Sequence, residues 1–215
     1  GICGTEYCNI YDGVPDWDVN HTFDAGCNTP LVLSFDGAPA ELVPARAATF
    51  DLDGVGGCIS TDWPAAATPW LALDVDGNGT IDSGRELFGV DTLKSNGQLA
   101  TDGFDALKDL DANQDGKIDA ADSVFANLRI WRDLNQDGIS QANELTTLSA
   151  NSITGIGVNA SAVNTDLGNG NVQTALGTYI RDDGTEGKAD TGAELAAANL
   201  NLATDAFLSD FSQHV

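Results

Sequence analysis

The chain has 215 residues, 42% of them hydrophobic, and carries 33 acids against 9 bases for a formal charge of −24. That describes a globular chain rather than a disordered one, long enough for one large domain or two small ones. It excludes nucleic acid and anionic membrane surfaces as partners, because both need Lys and Arg, and no run of about 18 apolar residues is present to span a bilayer.

Residues 1–30 are rich in Asp, Asn, Gly and Cys and read as a loop-like segment. All four cysteines, Cys3, Cys8, Cys27 and Cys58, fall in the first 58 residues. An even, clustered count predicts two disulfides and an oxidising compartment, and Cys3–Cys8 with Cys27–Cys58 is the favoured pairing. Zinc is the weaker reading: there is no Cys-x-x-Cys, and the histidines are His21 and His214. Gly1 then reads as the start of a processed, exported chain.

Residues 31–35 (LVLSF) read as a strand followed by a turn at Asp36-Gly37, and 47–52 as a second strand. Residues 61–69 read as a loop, and 70–73 (WLAL) as a buried strand. Apolar spacing predicts a helix over 104–110; 122–128 reads as helical on the far side of the loop that follows, 129–132 as a strand, and 144–148 as the helix leaving the next loop. Further on come a strand over 153–158, a turn-rich loop over 164–171, a strand over 172–181 and a hairpin turn at 182–185. The alanine-rich stretch 193–211 reads as a C-terminal helix packed on its own core. The fold class expected is α+β, with short β-strands and hairpins around EF-hand-like calcium loops, short helices, a disulfide-stapled N-terminal segment and a C-terminal helix. The divisions are 1–58, 59–190 and 191–215, packed as one compact unit.

The acids are placed in register. Ca2+ takes six to eight oxygens at about 2.3–2.6 Å, and a twelve-residue loop supplies them from positions 1, 3, 5, 7, 9 and 12, with Gly at 6 for the sharp turn. One loop offers Asp111, Asn113, Asp115, the Lys117 carbonyl, Asp119 and Asp122, with Gly116 at the turn. Another offers Asp133, Asn135, Asp137, the Ile139 carbonyl, Gln141 through a water, and Glu144, with Gly138 at the turn. The first offers Asp74, Asp76, Asn78, Thr80 and Asp82, but its twelfth residue is the cation Arg85, and a bulge at Ser83-Gly84 is needed to bring in Glu86. About three Ca2+ ions are expected; magnesium prefers an octahedron and keeps its waters. The stretch 51–56 has Val55 where a ligand belongs and reads as a degenerate loop held by Cys58, and Asp16, Asp18, Asn20 and Asp24 share the rhythm with His21 in place of the glycine.

The segments WLALDVDGNGTIDSGRELFG (70–89), NGQLATDGFDALKDLDANQDGKIDAADSVFANLRIWRDLNQDGISQANEL (96–145) and GTYIRDDGTEGKAD (177–190) resemble a block of large secreted RTX-type calcium-binding proteins of Gram-negative bacteria. The Asp122 closing acid is similar to that of dockerin loops. In some RTX-type proteins the block resembles a self-processing module. Such a module folds on binding Ca2+, cleaves an Asp-Pro bond just ahead of itself and can join the new Asp end to a lysine. This sequence departs from that pattern: it contains no Asp-Pro bond and begins with Gly. Its cysteine segment and STDWPAAATPWLALD (60–74) resemble shorter exported deltaproteobacterial relatives.

No G-x-S-x-G, H-E-x-x-H or phosphate loop is present, and two histidines near opposite ends do not build a Ser–His or Cys–His site. Paired carboxylates for glycoside hydrolysis remain open in so acidic a chain, although calcium accounts for most clustered acids. The first expectation is therefore a secreted or cell-surface, non-enzymatic protein stabilised by Ca2+, whose other partners are copies of itself in an extracellular assembly. The alternative is a calcium-dependent autoprocessing or isopeptide cross-linking module of RTX type.

Overall fold

The computed structural model describes residues 31–35, 40–43, 49–52, 54, 59–60, 62–89, 92–168, 171–184 and 195–196. Their strands are β1 (Leu31–Val32), β2 (Leu42–Val43), β3 (Thr49–Phe50), β4 (Ile59–Ser60), β5 (Trp63–Pro64), β6 (Trp70–Leu73), β7 (Lys117–Asp119), β8 (Leu128–Trp131), β9 (Leu145–Thr147), β10 (Ile153–Gly157), β11 (Ser161–Gly168), β12 (Asn171–Leu176), β13 (Tyr179–Arg181) and β14 (Leu195–Ala196). The α-helix among the described residues is α1 (Gly103–Lys108), capped by the Asp102 side chain on Asp105 N–H at 2.8 Å.

A seven-stranded sheet runs β11-β12-β14-β1-β6-β8-β9, and a three-stranded sheet runs β13-β10-β7. The long sheet is apolar on both faces at its centre. Side chains alternate between faces with period two, so Trp70 and Trp131, opposite each other in the β6–β8 ladder, point to one side, while Leu71 and Ile130 point to the other. This is why the sequence there reads as continuous apolar runs rather than as alternation.

One face packs Trp63 edge-on against Trp70 and Trp131, with Phe50 tilted against Trp63 and Trp131, ring centroids 5.2–5.7 Å apart. The other face packs Leu71, Leu128 and Ile130 against Phe104 and Leu107 of α1 and against Ile118, Ile153 and Ile156 of the small sheet. The acidic loops are thus mounted on two sheets that share one apolar core.

The α+β expectation is overturned. The loops are bounded mainly by strands and 3-10 turns, not by the helix pairs of an EF-hand. The stretch 144–148, expected as a helix, is β9, because residues 145–147 complete a ladder with Arg129–Trp131. The region 122–128 holds a 3-10 turn, Phe125–Asn127, and 164–171 is largely β11, paired with β12. Residues 63–64 of the expected loop form β5, paired with β2. Leu195–Ala196, placed inside the expected C-terminal helix, is a strand between β1 and β12. The rest of that helix, the disulfide pairings and the Asp16–Asp24 acids lie outside the described residues.

Candidate metal centres

The three loops share one hydrogen-bond frame. In each, the first carboxylate accepts the N–H groups of the fifth and sixth residues: Asp74 from Asn78 and Gly79 at 3.1 and 2.8 Å, Asp111 from Asp115 and Gly116 at 3.3 and 2.8 Å, and Asp133 from Asp137 and Gly138 at 3.1 and 2.7 Å. The closing carboxylate accepts from the second and ninth residues. Glu86 binds Val75 and Asp82 N–H, Asp122 binds Ala112 and Asp119, and Glu144 binds Leu134 and Gln141, all at 2.8–3.3 Å. The backbone therefore curls so that both end carboxylates face the loop interior.

Two left-handed residues make that curl in each loop. The sixth residue is glycine, with φ of 83° at Gly79, 92° at Gly116 and 75° at Gly138. The fourth is also left-handed: Gly77 in the first loop, but Gln114 and Gln136 in the others, both at φ 58°. A left-handed non-glycine residue is strained by about 1–2 kcal/mol.

The first loop recruits Glu86 through a 3-10 turn at Gly84–Glu86, capped by the Ser83 side chain on Arg85 N–H. Gly84 packs flush on the chain at Leu52, where a Cβ would overlap the Leu52 carbonyl. Its N–H donates to the Asp51 carbonyl at 2.8 Å. Arg85 points away, its Nε donating to the Gly54 carbonyl at 3.1 Å. The 51–54 stretch thus buttresses the first loop. Oxygens of Asp74, Asp76 and Glu86 all lie within 4.8 Å of one another, close enough for one cation to touch all three. Asn78 threads between carboxylates, its Nδ2 reaching Asp76 and Asp82 at 3.0 and 3.1 Å, while its Oδ1 accepts from the Thr80 N–H and hydroxyl at 2.8 and 2.6 Å.

Among the described residues that gathering of three acids belongs to the first loop; the other two share its pattern of side-chain hydrogen bonds. Asn113 and Asn135 donate Nδ2 to Asp115 and Asp137 at 3.1 and 2.8 Å. Gln141 donates Nε2 to Asp137 at 2.8 Å, and its side chain also caps the Ala142–Glu144 turn. An amide oxygen at the ninth position suits a hard cation or its water. The Lys117 and Ile139 N–H groups bond Asp115 and Asp137, at 3.2 and 2.8 Å. Lys117 Nζ lies 2.6 Å from Asp119, a pairing that draws the Asp119 carboxyl below its ordinary range and raises the ammonium.

Burial pushes the Glu86 carboxyl above its ordinary range, helped by the Asp82 and Asp76 charges and opposed by N–H bonds from Asp82 and Val75. Burial also raises Asp133, with Glu144 and Asp137 adding to it and the Gly138 and Asp137 N–H groups opposing. Crowded, half-desolvated carboxylates of this kind favour whatever positive charge is offered, a proton or a metal ion.

Sequence reasoning missed the link between the first and third loops. The Ser140 hydroxyl is bonded to both the N–H and the carbonyl of Ile81. Both residues hold the eighth position, where the second loop has the apolar Ile118; a polar residue there was the available signal.

Residues 31–193 match the SPM domain family. The chain belongs to the SPM domain family. The matched stretch contains all three loops and every strand from β1 to β13. The chain is 44% identical over 184 residues to the iron-regulated protein FrpA of Neisseria meningitidis serogroup C. That alignment covers 84% of the chain but 16% of FrpA, so the chain spans a small part of its relative's length. The match agrees with the self-processing-module part of the resemblance. It does not speak to the dockerin-like or deltaproteobacterial parts.

Proposed function

We propose that this SPM domain is a secreted, calcium-dependent self-processing module that cleaves an Asp-Pro bond in a segment ahead of it and can pass the new aspartyl end to a lysine. This replaces the non-enzymatic structural role as the leading reading. The observation that carries it is the one frame repeated in three loops, inside a sequence that matches the SPM domain family over residues 31–193.

The residues present fit calcium. Asp74, Asp76, Asn78, Thr80, Asp82 and Glu86 would hold one ion; Asp111, Asn113, Asp115, Lys117 (carbonyl), Asp119 and Asp122 a second; Asp133, Asn135, Asp137, Ile139 (carbonyl), Gln141 and Glu144 a third. Bound Ca2+ would supply charge neutralisation and oxygen cross-linking of each loop. The raised carboxyls of Glu86 and Asp133 make the ion-free loops unfavourable at neutral pH. Ion binding is then linked to closing of the fold. Sites weaker than about 10⁻⁴ M would fill outside the cell and stay empty inside it.

The test fuses a segment containing one Asp-Pro bond ahead of Gly1, adds Ca2+ and follows mass. Cleavage at the Asp-Pro bond that EDTA prevents is the expected result. No cleavage, and no cross-linked species surviving boiling in reductant, overturns it in favour of a calcium-stabilised structural module.

A further inference from the structure

We infer that Arg132 and Arg181, which converge on the ring of Phe35, form a carboxylate clamp that seats an aspartate of the segment being processed, an inference that rests on the self-processing reading. The guanidinium carbon of Arg132 lies 4.5 Å from the Phe35 centroid and that of Arg181 5.9 Å. In a chain with 33 acids and 9 bases, every guanidinium has carboxylates to choose from. The ion pairs among the described residues are nevertheless Lys94–Asp105 and Lys117–Asp119, and neither of these arginines has an acid partner there.

Arg132 carries the stronger signal. Its Nε is buried with no hydrogen-bond partner among the described residues. A buried guanidinium N–H without an acceptor, on a cation set over an aromatic ring, is under-compensated. Arg181 is held by a relay: its Nη2 donates to the Tyr179 hydroxyl at 2.6 Å, which donates to the Ser34 carbonyl at 2.9 Å. Its Cζ stands 5.0 Å from the Tyr179 ring. The group that completes two planar guanidinium forks is a carboxylate, which accepts paired N–H groups. Phe35 lies at the N-terminal end of the matched residues, the end to which a preceding segment attaches.

Both arms of the clamp are tied to metal loops. Arg132 immediately precedes Asp133, and its N–H donates to the carbonyl of Glu144, the closing residue of the same loop, at 3.0 Å. Arg181 pairs with Ile153 of β10, whose other edge carries β7 of the second loop. Closing those loops fixes the clamp from two directions, which gives calcium control over a site that holds no ion itself.

The test has two arms in the full chain with Ca2+. In the first, the chain preceded by an Asp-Pro segment is followed by mass for wild type, R132K and R181Q, with calcium affinity and circular dichroism measured alongside. In the second, the chain without that segment is titrated with acetyl-Ala-Asp-Pro-Ala-amide and its Asn counterpart. We expect the Asp peptide to bind roughly tenfold tighter than the Asn peptide, and R181Q to abolish that preference and slow cleavage about tenfold, with calcium affinity and fold unchanged. R132K, which keeps the charge but loses the fork, should weaken both readouts. Equal binding of the two peptides, or wild-type cleavage by R181Q, overturns the clamp. If the wild-type chain never cleaves, the processing reading fails, and the peptide preference alone decides the clamp.

Discussion

Ser140 and Ile81 hold each other across 59 residues of sequence: the Ser140 hydroxyl accepts from the Ile81 N–H at 2.6 Å and donates to the Ile81 carbonyl at 3.1 Å. Both are buried, so the first and third loops share one dry hydrogen-bonded seam. Filling either loop should therefore stiffen the other. Replacing Ser140 with Ala leaves two buried backbone groups without that partner, at a cost of about 1–3 kcal/mol. The expected result is a lower denaturation midpoint and calcium binding to the two loops that loses its cooperativity. An unchanged calcium isotherm would show that the seam transmits nothing.

Glu86 should separate ion binding from folding. The Val75 and Asp82 N–H groups bond different oxygens of Glu86, so E86Q keeps an acceptor for one of them, loses the other bond and removes a buried charge whose pKa is raised. Calcium stoichiometry should fall by one ion, while the ion-free chain, which loses one N–H bond but also a desolvated charge, melts close to wild type. Equilibrium dialysis and thermal melts in EDTA check the two halves.

Gly84 is the point on which the first loop turns. G84A drives a methyl into the Leu52 carbonyl and must displace the 3-10 turn that delivers Glu86. Loss of the first ion and a marked fall in stability are expected. R85A, which removes one exposed bond to Gly54, should change stability by less than about 1 kcal/mol.

The pH response has opposite signs with and without calcium. Glu86 and Asp133 have folded pKa values above their ordinary 4.5 and 3.8. The folded ion-free chain therefore holds protons that the unfolded chain has lost, and it gains stability as pH falls toward those values. Asp105 is drawn below 3.8 chiefly by its Lys94 partner, so its contribution is present above 3.8 and is lost as pH falls through its lower folded value. Ion-free stability should thus rise from neutral pH to near 4 and then drop. Calcium needs the same carboxylates ionised, so the gap in melting temperature between Ca2+ and EDTA should shrink over that range. A gap constant from pH 7 to 4 would rule this out.

Much of the central sheet was legible. Strands β6 and β8 are buried on both faces, and their apolar runs announce it. The sharp turns of the loops were legible in their spacing, because the glycine at the sixth position of each takes the left-handed conformation the curl requires. Their flanks were not. The helix expected at 144–148 came from extending a helical-pair template, whereas residues 145–147 pair antiparallel with Arg129–Trp131 at the edge of β8. Region 164–171 is rich in turn-formers, yet it ladders with β12; pairing with a distant strand overrides local preference. The partnership of Arg132, Arg181 and Phe35 joins residues far apart in sequence, and no local pattern could place them together.

Strand β14, at Leu195–Ala196, sits between β12 and β1, so the last described strand fills a gap beside the first. A chain leaving the ribosome makes β1 long before it makes the neighbour that closes that edge. The sheet's long-range pairings come last, and such closures are slow. Until residues 195–196 emerge, β1 and β12 present open edges, so the timing of synthesis, as well as the supply of ions, decides when this architecture is complete.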